Sequence, residues 1–147
     1  MWLLNLAAHH NYRIGNNEKA LEFANQAVAH TPTVPDIYLT KGKIEYKLGN
    51  KTEASADFEE ARKLDLADRY LNNKAAKYRL RLDDLDGAYD IMALFSKEGS
   101  SDLNVHDMQS MWYELECAEA AFRLENWERA VKEYEYIEQH IVDMYED

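Results

Sequence analysis

The sequence holds one cysteine, two prolines and five glycines in 147 residues, and its 17 Lys and Arg are outnumbered by 28 Asp and Glu. A single Cys excludes an intramolecular disulfide and a cysteine-based structural zinc site, and it fits a reducing compartment. So little Pro and Gly disfavours collagen, low-complexity linkers and turn-rich β sandwiches. The formal net charge of −11 argues against general nucleic-acid binding, which needs surplus cations to neutralise phosphates. No stretch reaches the roughly 18 apolar residues of a membrane span, so no membrane partner is expected. The opening run from Met1 to Ala8 lacks a basic leader, is interrupted by Asn5 and meets His9, His10 and Asn11. It reads as one face of a helix and not as a signal peptide. Asn50-Lys51-Thr52 is a formal glycosylation sequon, but nothing else points to secretion. The hydrophobic fraction of 46% is too high for a disordered acidic tail and supports one domain with a real core.

Self-similarity is the strongest feature of the chain. Gly15-Asn16-Asn17-Glu18-Lys19-Ala20 recurs 34 residues later as Gly49-Asn50-Lys51-Thr52-Glu53-Ala54. Ala8, Gly42 and Ala76 keep the same period, as do Ala20, Ala54 and Ala88, and Ala27 with Ala61. A fourth copy, Ala118 and then Asn126-Trp127-Glu128-Arg129-Ala130, is displaced by about eight residues. Gly99-Ser100-Ser101-Asp102-Leu103-Asn104 is the inserted stretch, with a loop composition. Within a copy, Leu3, Leu4, Ala7 and Ala8, then Ala20, Phe23, Ala24, Ala27 and Val28, follow helical spacing. Gly15-Asn16-Asn17 between them offers positive φ and capping chemistry. Pro32 and Pro35 end the second helix. The recurring Ala lets paired helices approach closely without loss of helix propensity. Such a pair cannot bury its apolar stripe alone, and stacking of neighbours produces a solenoid.

On these residues the chain resembles the tetratricopeptide repeat (TPR) family. Ala8, Ala20, Ala27 and Pro32 match its pattern, as do Gly42, Ala54, Phe58 and Ala61; Ala76, Ala88 and Met92; and Ala118, Ala130 and Tyr134. Leu66 stands where the family has Pro, and Phe95 where it has Ala. The resemblance implies an all-α protein, a right-handed α–α superhelix of about four helix pairs in a single solenoid segment. The repeats fall at about 1–34, 35–68, 69–98 and 111–144, with a loop insertion at 99–110.

No catalytic motif is present. There is no phosphate-binding glycine loop, no H-E-x-x-H and no G-x-S-x-G. His9, His10, His30, His106 and His140 include no i,i+4 pair to share a metal, so they read as ordinary surface or groove residues and no metal is expected. Cys117 lies among Leu115, Ala118 and Ala121, the setting of a buried, inert thiol. Paired carboxylates such as Glu59-Glu60 and Asp83-Asp84 read as solvated helix faces.

The segment Arg69 to Arg81 departs from the general acidity. It holds five of the 17 Lys and Arg and no acid. Tyr70, Lys74, Lys77 and Arg81 fall on one helical stripe, where like charges repel unless a carboxylate or a bound anion offsets them. The TPR resemblance implies which first-helix positions line a binding groove. Counted there, Trp2, Tyr12, Arg13, Lys43, Tyr46, Lys47, Tyr70, Lys77, Arg81, Trp112, Phe122 and Arg123 make a cationic and aromatic face, with Asp36 and Glu119 its only acids. Aromatics and Arg are the types enriched at binding hot spots. The competing reading is that the aromatics are core and the Lys stems lie over them.

Three further stretches are not generic to TPRs: Lys63 to Tyr78, Phe95 to Gly99, and Met108 to Ala118. With Thr31-Pro32-Thr33 and Asp36-Ile37-Tyr38-Leu39, they resemble the large auxiliary subunit of the NatA N-terminal acetyltransferase. The resemblance implies one part of a longer cytoplasmic protein that is not itself an enzyme. Such a subunit binds and positions a catalytic acetyltransferase subunit acting on nascent chains, and meets the ribosome through the full-length complex. It further implies that inositol hexakisphosphate is held near the subunit interface, with Arg69, Lys74, Lys77, Tyr78 and Arg81 as its candidates here, and Arg79 less aligned in phase. No cofactor is required, and no sequence-specific nucleic-acid binding is expected. Two rival readings remain: a generic peptide-binding co-chaperone module, and a ribosome- or RNA-contacting scaffold. Asn5 and His9 depart from the Lys and Asn of a peptide-carboxylate clamp.

Overall fold

The computed structural model describes residues 1–96 and 103–146. Among them are nine helices and no strand. The helices are α1 (Trp2–Arg13), α2 (Asn17–His30), α3 (Pro35–Leu48), α4 (Lys51–Leu64), α5 (Arg69–Leu80), α6 (Leu85–Ala93), α7 (Leu103–His106), α8 (Met111–Arg123) and α9 (Trp127–Glu146). They divide between two compact units, Met1–Tyr78 and Arg79–Asp147.

In the first unit the expected turns are present. Gly15 and Gly49 take φ of +83° and +92°, which an L side chain rarely adopts. The Asn16 and Asn50 amides then reach back to the carbonyls of Asn11 (2.9 Å) and Glu45 (3.0 Å), closing the wide backbone loop that ends a helix at glycine. The asparagines do not cap the next helices with their side chains, as the sequence suggested; Asn50 Nδ2 instead donates to Glu45 Oε2. Pro35 opens α3, where its missing N–H costs nothing. Leu66 replaces the usual Pro in an exposed turn. There Asp68 Oδ1 accepts from the amides of Tyr70 (2.6 Å) and Leu71 (3.2 Å) and starts α5.

The crossings follow a size rule. Ala8 packs in a cluster with Ala20, Ala24 and Ile44. One repeat later Gly42 meets Phe58, whose ring would lie 2.8 Å from a Cβ at position 42. Phe58 is fully buried, stacked on Tyr78 at 3.8 Å between ring centroids, and Tyr46 meets Tyr78 edge-on at 5.1 Å.

In the second unit, Asp84 caps α6 by accepting from the Gly87 amide (2.9 Å) and from Arg79 (2.8 Å). α6 spans nine residues and ends at Ala93, before Phe95, whereas α2 and α4 span 14. The insertion expected as a loop at 99–110 carries a helical turn, α7, in which Val105 and His106 are buried. Its residues before 103 lie outside the described residues. α8 and α9 form the unit's main helix pair, and α9 runs for 20 residues.

Candidate interaction face

The first-helix positions of the first unit lie on α1, α3 and α5. On α1 and α3, His9 fixes the alignment. Thr40 spends its only hydroxyl proton on the Asp36 carbonyl (2.9 Å), so the 3.0 Å contact between Thr40 Oγ1 and His9 Nε2 has the imidazole N–H donating. Burial, then the charges of Lys43 and Arg13, push the His9 pKa below the ordinary imidazole range. Arg13 and Lys43 therefore lie near His9. Neither they nor Lys47 has an ion pair among the described residues. Trp2 is exposed, as is Tyr70, over whose ring Lys74 Nζ sits at 5.2 Å. Tyr12 and Tyr46 are half-buried, each against a core cluster. For these two the competing reading of aromatics as core is partly right.

Arg69, Lys74 and Lys77 lie on α5, with Arg69 exposed and the two lysines half-buried. Tyr78 differs from expectation. Its ring is 9% exposed and sits between Phe58 and Tyr46, so it is a core residue. The repeat period itself signals this, because Tyr78 lies 34 residues after Ile44, which is also buried.

In the second unit the expected cations are committed to partners. Arg81 forks onto Glu116, with Nε and Nη2 at 3.2 and 3.0 Å from its two oxygens. Arg123 donates to Asp83 Oδ1 (2.7 Å) and to the Leu80 carbonyl (2.9 Å). Both arginines thus tie segments of the unit together. Phe122 is exposed and meets Trp127 edge-on at 5.0 Å, while Trp112 is half-buried beside Tyr113. Of the expected groove cations, Arg13, Lys43 and Lys47, on α1 and α3, have no ion pair among the described residues.

A buried polar cluster went unforeseen. Glu114 Oε1 accepts from His106 Nδ1 (3.0 Å) and His140 Nε2 (2.8 Å). Glu133 is fully buried and accepts from Arg129 (2.7 Å), and His106 stacks on Tyr136. His106 and His140 are therefore not surface residues. Their partners lie eight and 26 residues away in sequence, at separations no helical motif encodes. Cys117 is buried as expected, and desolvation followed by the nearby Glu133 carboxylate pushes its thiol up to about 12. Desolvation likewise raises the neighbouring Tyr113 hydroxyl far above its ordinary range. No group of three or more His, Cys, Asp or Glu among the described residues is arranged to hold a metal ion, and no helix among them is long and apolar enough to cross a membrane.

Paired helices with small residues at each crossing, and a face of aromatics and cations, define a TPR-like helical-repeat protein. Its fold is shared by a solved structure of MamA, which is 14% identical with a TM-score of 0.69 over 98% of this chain and 80% of that one. The model of the family "N-terminal acetyltransferase A, auxiliary subunit" matches residues 1–147, and the chain belongs to that family. The Arabidopsis thaliana auxiliary subunit NAA15 is 42% identical over the whole of this chain, and the human auxiliary subunit N-alpha-acetyltransferase 16 is 36% identical. The chain spans 16% and 17% of those two relatives. A solved structure of Naa15/Naa10 bound to HypK-THB superposes with a TM-score of 0.91 and 32% identity, over 95% of this chain and 22% of that one.

Proposed function

We propose that the chain is part of a non-catalytic scaffold that binds and positions the catalytic subunit of an N-terminal α-amino acetyltransferase acting on nascent chains. The observation that carries this reading is the family match over all 147 residues. The superposition on a Naa15 chain solved together with Naa10 supports it. The face offered to the partner is the first-helix side of the first unit, where Arg13, Lys43 and Lys47 stand uncommitted beside Trp2, Tyr12, Tyr46 and Tyr70. Charge without a local partner is what an incoming acidic surface neutralises, and the aromatics supply rigid contact area.

The same reading assigns an inositol phosphate to the Arg69–Arg81 segment, through Arg69, Lys74 and Lys77. Tyr78 contributes packing there, and Arg81 is already held by Glu116. A cytoplasmic, ribosome-associated setting belongs to the longer protein under this reading.

The test is a pull-down from native cell extract with the chain as bait, read by mass spectrometry, beside a Lys43→Glu/Lys47→Glu variant. Recovery of a small acetyltransferase by the parent and its loss from the variant is the expected result. Recovery of chaperone C-termini would favour the co-chaperone reading, and capture of the acetyltransferase by both proteins would move the interface off α3.

A further inference from the structure

His9 is half-buried on α1, and a hydrogen bond to α3 decides which of its nitrogens is the base. Thr40 gives its hydroxyl proton to the Asp36 carbonyl (2.9 Å), so Nε2–H of His9 donates to Thr40 Oγ1 at 3.0 Å. With Nε2 protonated, the neutral ring keeps its free lone pair on Nδ1, and a second proton adds there. The ring is held in this tautomer by first helices of two successive repeats.

The charges that act on the ring are both positive. Lys43 reaches it from α3 and Arg13 from the next turn of α1. With burial, they hold the ring below the ordinary imidazole range. The other ionisable groups of these helices are placed differently. His10 projects about 100° away around α1, and it is exposed, as are Asp36 and Lys47. Lys41 and Glu45 are engaged with Asp57 and Asn50. α2 packs against both α1 and α3 and carries Glu18, Lys19, Glu22 and His30, none of which acts on His9. Among the described residues, no carboxylate offsets the two cations at the ring.

We propose that docking of an acidic partner surface on Arg13 and Lys43 is accompanied by uptake of one proton at Nδ1 of His9. The proposal rests on the docking face described above and adds its regulation by pH. A partner carboxylate beside Lys43 or Arg13 cancels the repulsion that disfavours imidazolium and puts an attraction in its place. The imidazolium keeps the bond to Thr40 and gains a donor at Nδ1. By linkage, affinity rises as pH falls through the range between the docked and the free titrations of His9. The gain approaches about tenfold for each pH unit that separates those two titrations.

Proton resonances of the imidazole Cε1–H groups, followed against pH, give the first test. The His9 signal is the one missing from His9→Gln, whose amide can still donate to Thr40. Its titration should move up in free Lys43→Ala, and up in the parent when the purified catalytic acetyltransferase subunit is added to saturation. Calorimetry at about pH 6, in two buffers of different ionisation enthalpy, should show more proton uptake on docking by the parent than by His9→Gln. The parent should also gain more affinity on acidification. Docking with equal proton uptake by the two proteins, or with the His9 titration left in place, would overturn the proposal and leave the docking face standing. A His9 titration unmoved by Lys43→Ala would overturn it too. No docking by either protein would overturn the face and the proposal together.

Discussion

Replacing Gly42 with Ala sets two effects against each other. In an isolated helix, Gly→Ala stabilises by about 1 kcal/mol. Here the new methyl would lie 2.8 and 3.0 Å from two carbons of the Phe58 ring and 3.2 Å from the Ala54 carbonyl oxygen. The ring has nowhere to yield, because Tyr78 is stacked on it at 3.8 Å. Overpacking of this kind costs about 1–3 kcal/mol, so the substitution should be neutral to destabilising by about 2 kcal/mol. Phe58→Ala alone should cost about 3–5 kcal/mol through the cavity it leaves. In that background the methyl has room, and Gly42→Ala should become stabilising by about 1 kcal/mol. The double variant would reproduce the first repeat, where Ala8 and Ala24 occupy the same two positions. Urea unfolding followed by circular dichroism at the helical band, run as a double-mutant cycle, gives the coupling directly. Additive effects, or the full helix-propensity gain in the parent, would refute the size rule at the crossing.

Other outcomes follow from the same contacts. Arg81→Glu should destabilise the second unit by about 1–3 kcal/mol, because it removes the forked hydrogen bonds to Glu116 and sets a second carboxylate beside it where the Glu116 side chain is 10% exposed; Arg81→Lys should recover part of the loss, as urea midpoints would show. Cys117, its thiol pushed up to about 12 and buried, should resist a thiol reagent at pH 8 in the folded protein and react at once in denaturant; fast reaction of the folded chain would contradict the burial. Burial, opposed by Lys41, holds the Asp57 carboxyl above its ordinary 3.8. A raised carboxylate pKa contributes stability that is full below the unfolded value and lost as pH rises through the folded one. The stability of the parent relative to Asp57→Asn should therefore be greatest below pH 3.8 and decline above it; a difference that grows with pH would reverse the assignment.

What was legible in the sequence is what the 34-residue period carries. Ala8, Ala20, Ala54 and Ala76 fall at helix crossings because their period and size demand it, and all four are fully buried. The turns at Gly15 and Gly49 were legible for the same reason, since positive φ selects glycine. Contacts set by three-dimensional proximity alone were not. Arg81 read as a cation to be offset by a carboxylate or a bound anion, and the carboxylate, Glu116, lies 35 residues on in sequence. The buried cluster of His106, Glu114 and His140 has no local pattern, because its members come from three helices. Tyr78 is the intermediate case. The family resemblance carried it over as a ligand candidate, while the repeat period already placed it with Ile44 in the core.

Hydrogen exchange of the chain with and without the purified catalytic acetyltransferase subunit tests the central claim most directly. The account predicts slowed exchange in α1, α3 and α5, with α2 and α4 unchanged. Slowed exchange confined to α2 and α4, or none at saturating partner, would contradict it.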